Sequence, residues 1–227
     1  MHQPNFFPWL GYFYKMARAD LFVYADTLAF SKGSYTQRVK IKTHNGPKWL
    51  TMSVVHTGRV GDPIIQVQCG GAADWRERLI KALRGHYAGC PHYKTYIGPI
   101  AEIICTGDDR LAEMNIRLIK HIAGELGIRT PTIRSSALHQ DHLVGRATDW
   151  IIGVSREVGA DTYLSGSGGA NYQDEAAFEA AGLQLTYANY PHPVYPQAFG
   201  DFVAGLSIVD LLFNCGPDSR RVLGIGD

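Results

Sequence analysis

Cysteine is scarce in this chain: four residues in 227, at Cys69, Cys90, Cys105 and Cys215. No two of them form a CxxC pair or a zinc-type spacing, which speaks against a disulfide framework and for reduced thiols in a cytoplasmic protein. An excess of either charge is missing too. Lys plus Arg number 22 against 21 Asp plus Glu, a net charge of +1, so a strongly basic nucleic-acid surface is not expected. No apolar run is long enough to span a bilayer. There is no internal repeat or low-complexity tract, and no secretory leader is expected ahead of the polar stretch on which the chain opens. Strict GxGxxG, P-loop, GxSxG and HExxH patterns are absent, so none of these fingerprints assigns a chemistry.

What is present is enough apolar material for a full core, 45% hydrophobic against 19% charged residues. The length suits one large domain over residues 1–227, with an excursion. The chain is organised around Met1 to Lys15, where His2, Gln3 and Asn5 sit among Phe6, Phe7, Trp9, Tyr12 and Phe13. Pro4 and Pro8 forbid regular structure at the start, and Pro8 suits the first turn of a helix. Trp9, Leu10, Phe13, Met16 and Ala17 then mark one helical face. The stretch reads either as a rigid turn that sets His2 and Gln3 beside a helix N-terminus, a natural anion site, or as an aromatic plug with His2 as a bystander.

Further on, Leu21–Tyr24 reads as a buried strand ending at Asp26, an acid at the sheet edge where α/β proteins gather ligands. Arg38, Lys40 and Lys42 alternate with Val39 and Ile41, which predicts a strand with its charges on one face. A turn at Asn45–Pro47 and a strand from Trp49 to Val55 complete a hairpin, and Ile64–Val67 is expected as another strand. The excursion covers about 31–70. A helical segment follows over about 74–127, interrupted at Pro91 and ended by Gly127. The last hundred residues alternate strand and helix: strands at Thr132–Ser135, Asp161–Ser165 and Leu183–Tyr187, helices at Leu143–Val158, Asp174–Ala181 and Leu206–Phe213. That alternation predicts an α/β fold with a Rossmann-like, largely parallel sheet linked right-handedly. A doubly wound sheet also wants a strand before His2, so either the first strand is missing from a truncated start, which is favoured, or that strand is not needed.

Three further stretches carry candidate chemistry. Tyr163 to Glu175 follows a strand and opens a helix. Gly166, Gly168 and Gly169 would let backbone N–H groups approach a phosphate, Ser165 and Ser167 offer hydroxyls, and Asn171, Asp174 and Glu175 are polar contacts. The plainer reading is a Gly-rich loop with no ligand, with Asp174 as a helix cap. Tyr190 to Gly216 holds His192, Tyr195 and Gln197 on a proline-stiffened path. Ser207 is placed to cap a helix on which Asp210 and Asn214 share a face, with structural and substrate partners equally open. His139 and His142 flank Asp141, but helix-type ligand spacing and a completing Cys or Glu are lacking, so a solvated loop is favoured over a metal site.

Four separated motifs stand out: His2-Gln3-Pro4 with Pro8-Trp9-Leu10-Gly11-Tyr12-Phe13; Ser31-Lys32-Gly33-Ser34 with Arg38 and Ile41-Lys42; Tyr163-Leu164-Ser165-Gly166 with Asn171-Tyr172; and Ser207 with Asp210-Leu211-Leu212-Phe213-Asn214-Cys215-Gly216. Together they resemble the WbqC-like protein family. The resemblance spans essentially the whole chain. It implies a setting in bacterial surface-polysaccharide (O-antigen) or natural-product biosynthesis. Family members usually carry a few hydrophobic residues before His-Gln-Pro, which again implies an incomplete first strand. A weaker similarity, to the HIGH-motif nucleotidylyltransferases, rests on the order His2, Gly11, Ala19-Asp20-Leu21-Phe22-Val23. The second His of that motif is replaced by Pro-rich sequence, so only a related Rossmann-like fold is implied.

The expectation is therefore a transferase that moves an acyl, aminoacyl or nucleotidyl group from an activated donor to a sugar or amine acceptor. His2 would act as acid/base or phosphate contact. Lys32, Arg38 and Lys42 would hold a charged donor group, and Asp26 or Asp210 would orient an amine. Gln3, Asn5, Ser165, Gly166, Ser167, Asn171, Tyr172 and Asn214 would bind substrate. A nucleotide is the candidate cofactor, no metal site is expected, and a homo-oligomer stays open. The alternatives are a nucleotide- or carbohydrate-binding module without chemistry, and a structural partner in a biosynthetic complex.

Overall fold

Strand β1 (Phe22–Tyr24) is three residues long and buried throughout. Successive side chains of a strand point to opposite faces, and here the two faces enter two different cores. Phe22 and Tyr24 belong to the larger buried cluster, with Phe6, Phe13, Leu50, Ile100, Ile119 and Phe213. Val23 belongs to a smaller one with Ala25, Trp150, Ile151, Val154, Tyr163 and Phe178. A strand covered on both sides loses the alternation of a surface strand and reads as a continuous apolar run.

The computed structural model describes residues 1–55, 61–71, 73–139, 147–171 and 173–226. Helix α1 (Leu10–Ala17) precedes β1, and the hairpin β2 (Arg38–Thr43) and β3 (Gly46–Thr51) follows it. β4 (Val54–Val55) and β5 (Gln68–Cys69) form a small antiparallel pair. The helical layer is α2 (Trp75–Tyr87), α3 (Tyr93–Thr106) and α4 (Leu111–Glu125). Then come β6 (Thr132–Arg134), α5 (Ala147–Glu157), β7 (Thr162–Gly166), α6 (Glu175–Ala180), β8 (Gln184–Ala188), α7 (Ile208–Cys215) and α8 (Ser219–Val222). β1 pairs in parallel with β6, and β7 in parallel with β8. The fold is thus mixed α/β, with short parallel pairs and helices against them. None of the helices in the described residues is long and apolar enough to cross a membrane.

Several expected elements are found with shifted limits. α4 and α6 stop at Gly127 and Gly182, whose φ of +65° and +68° is the left-handed conformation that ends helices. Pro91 separates α2 from α3, and α3 carries Pro99 inside it. Ser207 caps α7 and Asp174 caps α6, each side chain accepting a backbone N–H of the first turn.

Three expectations are corrected. Ile64–Gln66 is a 3-10 turn and not a strand, because Pro63 precedes it and the amides of Ile64 and Ile65 are taken by the carbonyls of Leu28 and Asp26. The hairpin turns at His44–Asn45, while Gly46 and Pro47 already pair with Thr43 and Lys42. The strand expected over Trp49–Val55 breaks after Thr51, and β4 pairs with β5 instead of continuing the hairpin. At the opposite end, His2 forms a single parallel bridge to Tyr24. Its N–H donates to the Val23 carbonyl at 3.0 Å and its own carbonyl accepts from Ala25 at 2.8 Å. The backbone of His2 therefore already lies along the β1 edge.

Candidate functional site

The opening stretch is held by hydrogen bonds from the start of α7 and from α4. Ser207 Oγ donates to the Phe7 carbonyl at 2.9 Å, and the Ile208 amide donates to the Pro8 carbonyl at 2.9 Å. Asn115 of α4 donates to the Pro4 carbonyl. Phe7 is buried with φ +40°, a strained value for a residue with a side chain that this clamp maintains. The aromatics Phe6, Phe7, Tyr12 and Phe13 are core. The polar residues between them face a cavity.

That cavity has a volume of about 680 Å³, within the roughly 300–1,000 Å³ typical of small-molecule sites. One wall is His2, Gln3, Asn5, Trp9 and Lys15; another is the loop Ser165 to Gly169 at the end of β7; Trp150, Ile151 and Tyr163 form the apolar part and Tyr35 also lines it. Two stretches about 160 residues apart in sequence thus share one space. No Asp or Glu lines the cavity among the described residues.

His2 rests 4.8 Å from the Tyr12 ring, and its Nδ1 lies 3.2 Å from the Gln3 carbonyl. A carbonyl only accepts, so Nδ1 carries the proton and a neutral ring presents Nε2 as an acceptor. Burial, and then the charge of Lys15, push the imidazole well below its ordinary pKa. Asn5 is 5% exposed and its Oδ1 has no hydrogen-bond partner. Lys15 is also 5% exposed. Its Nζ donates to the Met1 carbonyl at 2.9 Å, and burial lowers its pKa to about 8. In the loop, Ser165 is buried and donates to the Gly166 carbonyl. A Cβ on Gly166 or Gly168 would meet nothing within 4 Å, so the backbone there faces open space. A Cβ on Gly169 would fall 2.1 Å from Ser165 Oγ and 2.6 Å from Gln173 Oε1, so a larger residue there would have to displace both side chains.

The other expected site residues lie elsewhere. Asp26 is fully buried, and its carboxylate accepts from Ser135 Oγ and from the amide and hydroxyl of Ser136. Lys32 is exposed. Arg38 stacks over Trp49 at 4.2 Å. Lys42, expected on a charged face, is 2% exposed and donates to the carbonyls of Gly200 and Asp201. Asp210 is fully buried and accepts from Tyr87 and Tyr195, both at 2.9 Å. Burial raises its pKa even though both tyrosines stabilise the charge. Asn214 bonds the Asp210 carbonyl and the Ala198 amide. These residues do not line the cavity. Asn171 belongs to the 3-10 turn Ser167–Asn171, and Tyr172 lies outside the described residues. His139 pairs with Glu157, while Asp141 and His142 lie outside the described residues.

Residues 3–222 match the WbqC-like protein family. The chain belongs to that family. It is 30% identical over 223 residues to the "Uncharacterized protein Rv1507c" of Mycobacterium tuberculosis (strain ATCC 25618 / H37Rv), covering 97% of this chain and 95% of the relative. No solved structure matches it. The sequence motifs that pointed to the WbqC-like family divide in space: the first and third meet at the cavity, while the fourth, carried by α7, clamps the first from behind.

Lys15 was missed by sequence reasoning. Its signal is a single charge between Pro8 and Arg18 in an otherwise apolar run. All of Leu10–Met16 is buried, so the helix has no solvated face on which to place it.

Proposed function

We propose that this WbqC-like protein is a transferase whose active site is the cavity between His2 and the Ser165–Gly169 loop. It moves an acyl, aminoacyl or nucleotidyl group from an activated donor to a sugar or amine acceptor. The observation that carries this reading is the composition of the cavity wall: an acceptor nitrogen on His2, polar Gln3 and Asn5, and an open Gly-Ser backbone, with no carboxylate among the described lining residues to repel an anionic donor. In the proposed step the acceptor's hydroxyl or amine attacks the carbonyl carbon or phosphorus of the donor. Its proton passes to His2 Nε2, and the donor's leaving group departs with the electron pair of the broken bond.

The finer architecture supported by these contacts is Rossmann-like. The His2 backbone lies along β1, Met1 packs into the same cluster as β7, and both parallel pairs turn their strand ends toward one cavity. The family's association with surface-polysaccharide and natural-product biosynthesis supports that setting. The four free cysteines favour a cytoplasmic location.

Mass spectrometry of the purified chain with mixtures of activated donors and sugar or amine acceptors tests the proposal. The expected result is a product mass from the wild type and a rate roughly 100-fold or more lower in His2→Ala, the usual size of a general-base contribution. Equal rates in the two proteins would remove His2 from the chemistry. A binding module without turnover is favoured by one feature, the weakened basicity of His2. It predicts ligand-induced rises in melting temperature with no product.

A further inference from the structure

Two lysines in this chain are almost fully buried, and they are solved differently. Lys42 has two backbone carbonyls as acceptors, and the Asp210 carboxylate is near enough for its charge to be felt. Lys15 has one acceptor, the neutral carbonyl of Met1. An ammonium carries three donors, and no ion pair to Lys15 is found among the described residues. A buried cation without a counter-charge is unfavourable. Among the described residues, the wall of the cavity it lines supplies none. An anion entering from solvent would supply that partner. A second, independent observation points to a ligand in the same space: the buried Oδ1 of Asn5 lacks a donor.

We propose that Lys15 anchors a phosphate or diphosphate group of a nucleotide-type ligand, set against the open backbone of Gly166–Gly168, with Asn5 Oδ1 accepting a hydrogen bond from a ligand N–H or O–H. This rests on the cavity being the donor site of the proposed transferase, and it names the donor class. Tyr35 supplies a surface for the ligand's ring. It is 52% exposed, lines the cavity and packs against Trp49, itself stacked under Arg38. Stacking on exposed aromatics is tolerant of the base presented.

The test is isothermal titration of the full chain with inorganic pyrophosphate, uridine diphosphate, uridine monophosphate and uridine, repeated on Lys15→Met and on Lys48→Met as an exposed-lysine control. Expected are binding of the diphosphate compounds and a roughly tenfold or larger loss of affinity in Lys15→Met alone, with uridine binding far more weakly than uridine diphosphate. Equal affinity in Lys15→Met, equally tight binding of uridine, or no binding of any phosphate compound would overturn the proposal. If Lys15→Met does not fold, amine acylation of the wild type mapped by mass spectrometry replaces it. Pyrophosphate should protect Lys15 from labelling, and unprotected labelling would refute its role as anchor. Failure here is separable from failure of the transferase reading. Turnover of a phosphate-free acyl thioester at full rate in Lys15→Met would leave a transferase without this anchor. Lys15-dependent diphosphate binding with no product from any mixture would leave the anchor without a transferase.

Discussion

Asn115 Nδ2 donates to the Pro4 carbonyl at 2.8 Å, linking the middle of α4 to the turn between His2 and Asn5. The same nitrogen reaches the Thr36 carbonyl, also at 2.8 Å, so one amide ties the opening stretch to the approach to β2. Asn115 is fully buried. Asn115→Ala would leave two carbonyls without partners, at about 1–3 kcal/mol for each buried orphan. The expected outcome in urea denaturation is a loss of at least about 2 kcal/mol on that scale, together with weaker ligand binding at the cavity. An unchanged midpoint would show that water or a backbone shift replaces both bonds.

Gly11 lies under the Trp9 ring. A Cβ there would fall 2.1 Å from the Trp9 ring atom Cη2, far inside contact distance. Alanine in a helix is favoured over glycine by roughly 0.8–1.0 kcal/mol, and Gly85 in α2, exposed and with nothing within 4 Å of its Cβ position, is the control. Gly85→Ala is expected to stabilise by about that amount. Gly11→Ala is expected to destabilise and to shift tryptophan emission, because the ring that lines the cavity must move. Stabilisation by both substitutions would mean that Trp9 adapts freely.

Much of the fold is legible in the sequence because its signals are local. A three-residue apolar strand, positive-φ glycines after helices and Ser207 or Asp174 as caps depend on neighbours within a few positions. The fates of Lys42, Asp26 and Lys15 are not local. Lys42 is buried by carbonyls 158 and 159 residues away, and Asp26 by serines more than 100 residues on. Strand alternation placed Lys42 with Arg38 and Lys40 on one face, but the end of β2 enters the core where Gly200 and Asp201 wait. The candidate site shows the same division. His2, Gln3, Asn5, Ser165, Gly166 and Ser167 meet in the cavity, and each belongs to a Gly- or Pro-punctuated stretch whose type hints at a ligand. Asp210 and Asn214 share a helix face as their spacing demands, yet the face is closed by Tyr87 and Tyr195.

Asp210 gives a pH signature. Burial raises its carboxyl above the ordinary range in the folded state, so the folded chain binds this proton more tightly than the unfolded one. The associated stability is fully present below the unfolded carboxyl value of about 4 and is lost as pH rises through the folded value. Asp210→Asn lacks this titration. The stability of the wild type minus that of Asp210→Asn, from urea midpoints at a series of pH values, is expected to fall with rising pH from about 4 upward. A flat or rising difference would mean that Tyr87, Tyr195 and Lys42 outweigh burial.

Lys15 titrates with the opposite consequence. Burial lowers its ammonium from 10.5 to about 8, so between these values the unfolded chain holds a proton that the folded chain has released. Stability then increases with pH across that window, and the contribution is lost as pH falls back through 8. At about 1.4 kcal/mol per pH unit the full span is worth up to about 3 kcal/mol. His2 and the Met1 amine, both lowered first by burial, are uncharged in the folded state throughout this range and do not mask the effect. The stability of wild type minus Lys15→Met should therefore rise between pH 8 and 9.5, and Lys15→Met should be the more stable protein at pH 7. Saturating pyrophosphate should reverse that order at pH 7, because an anion beside Nζ restores the counter-charge that the folded chain lacks. A pH-independent difference would place Lys15 in contact with water and remove the basis for its burial-driven titration.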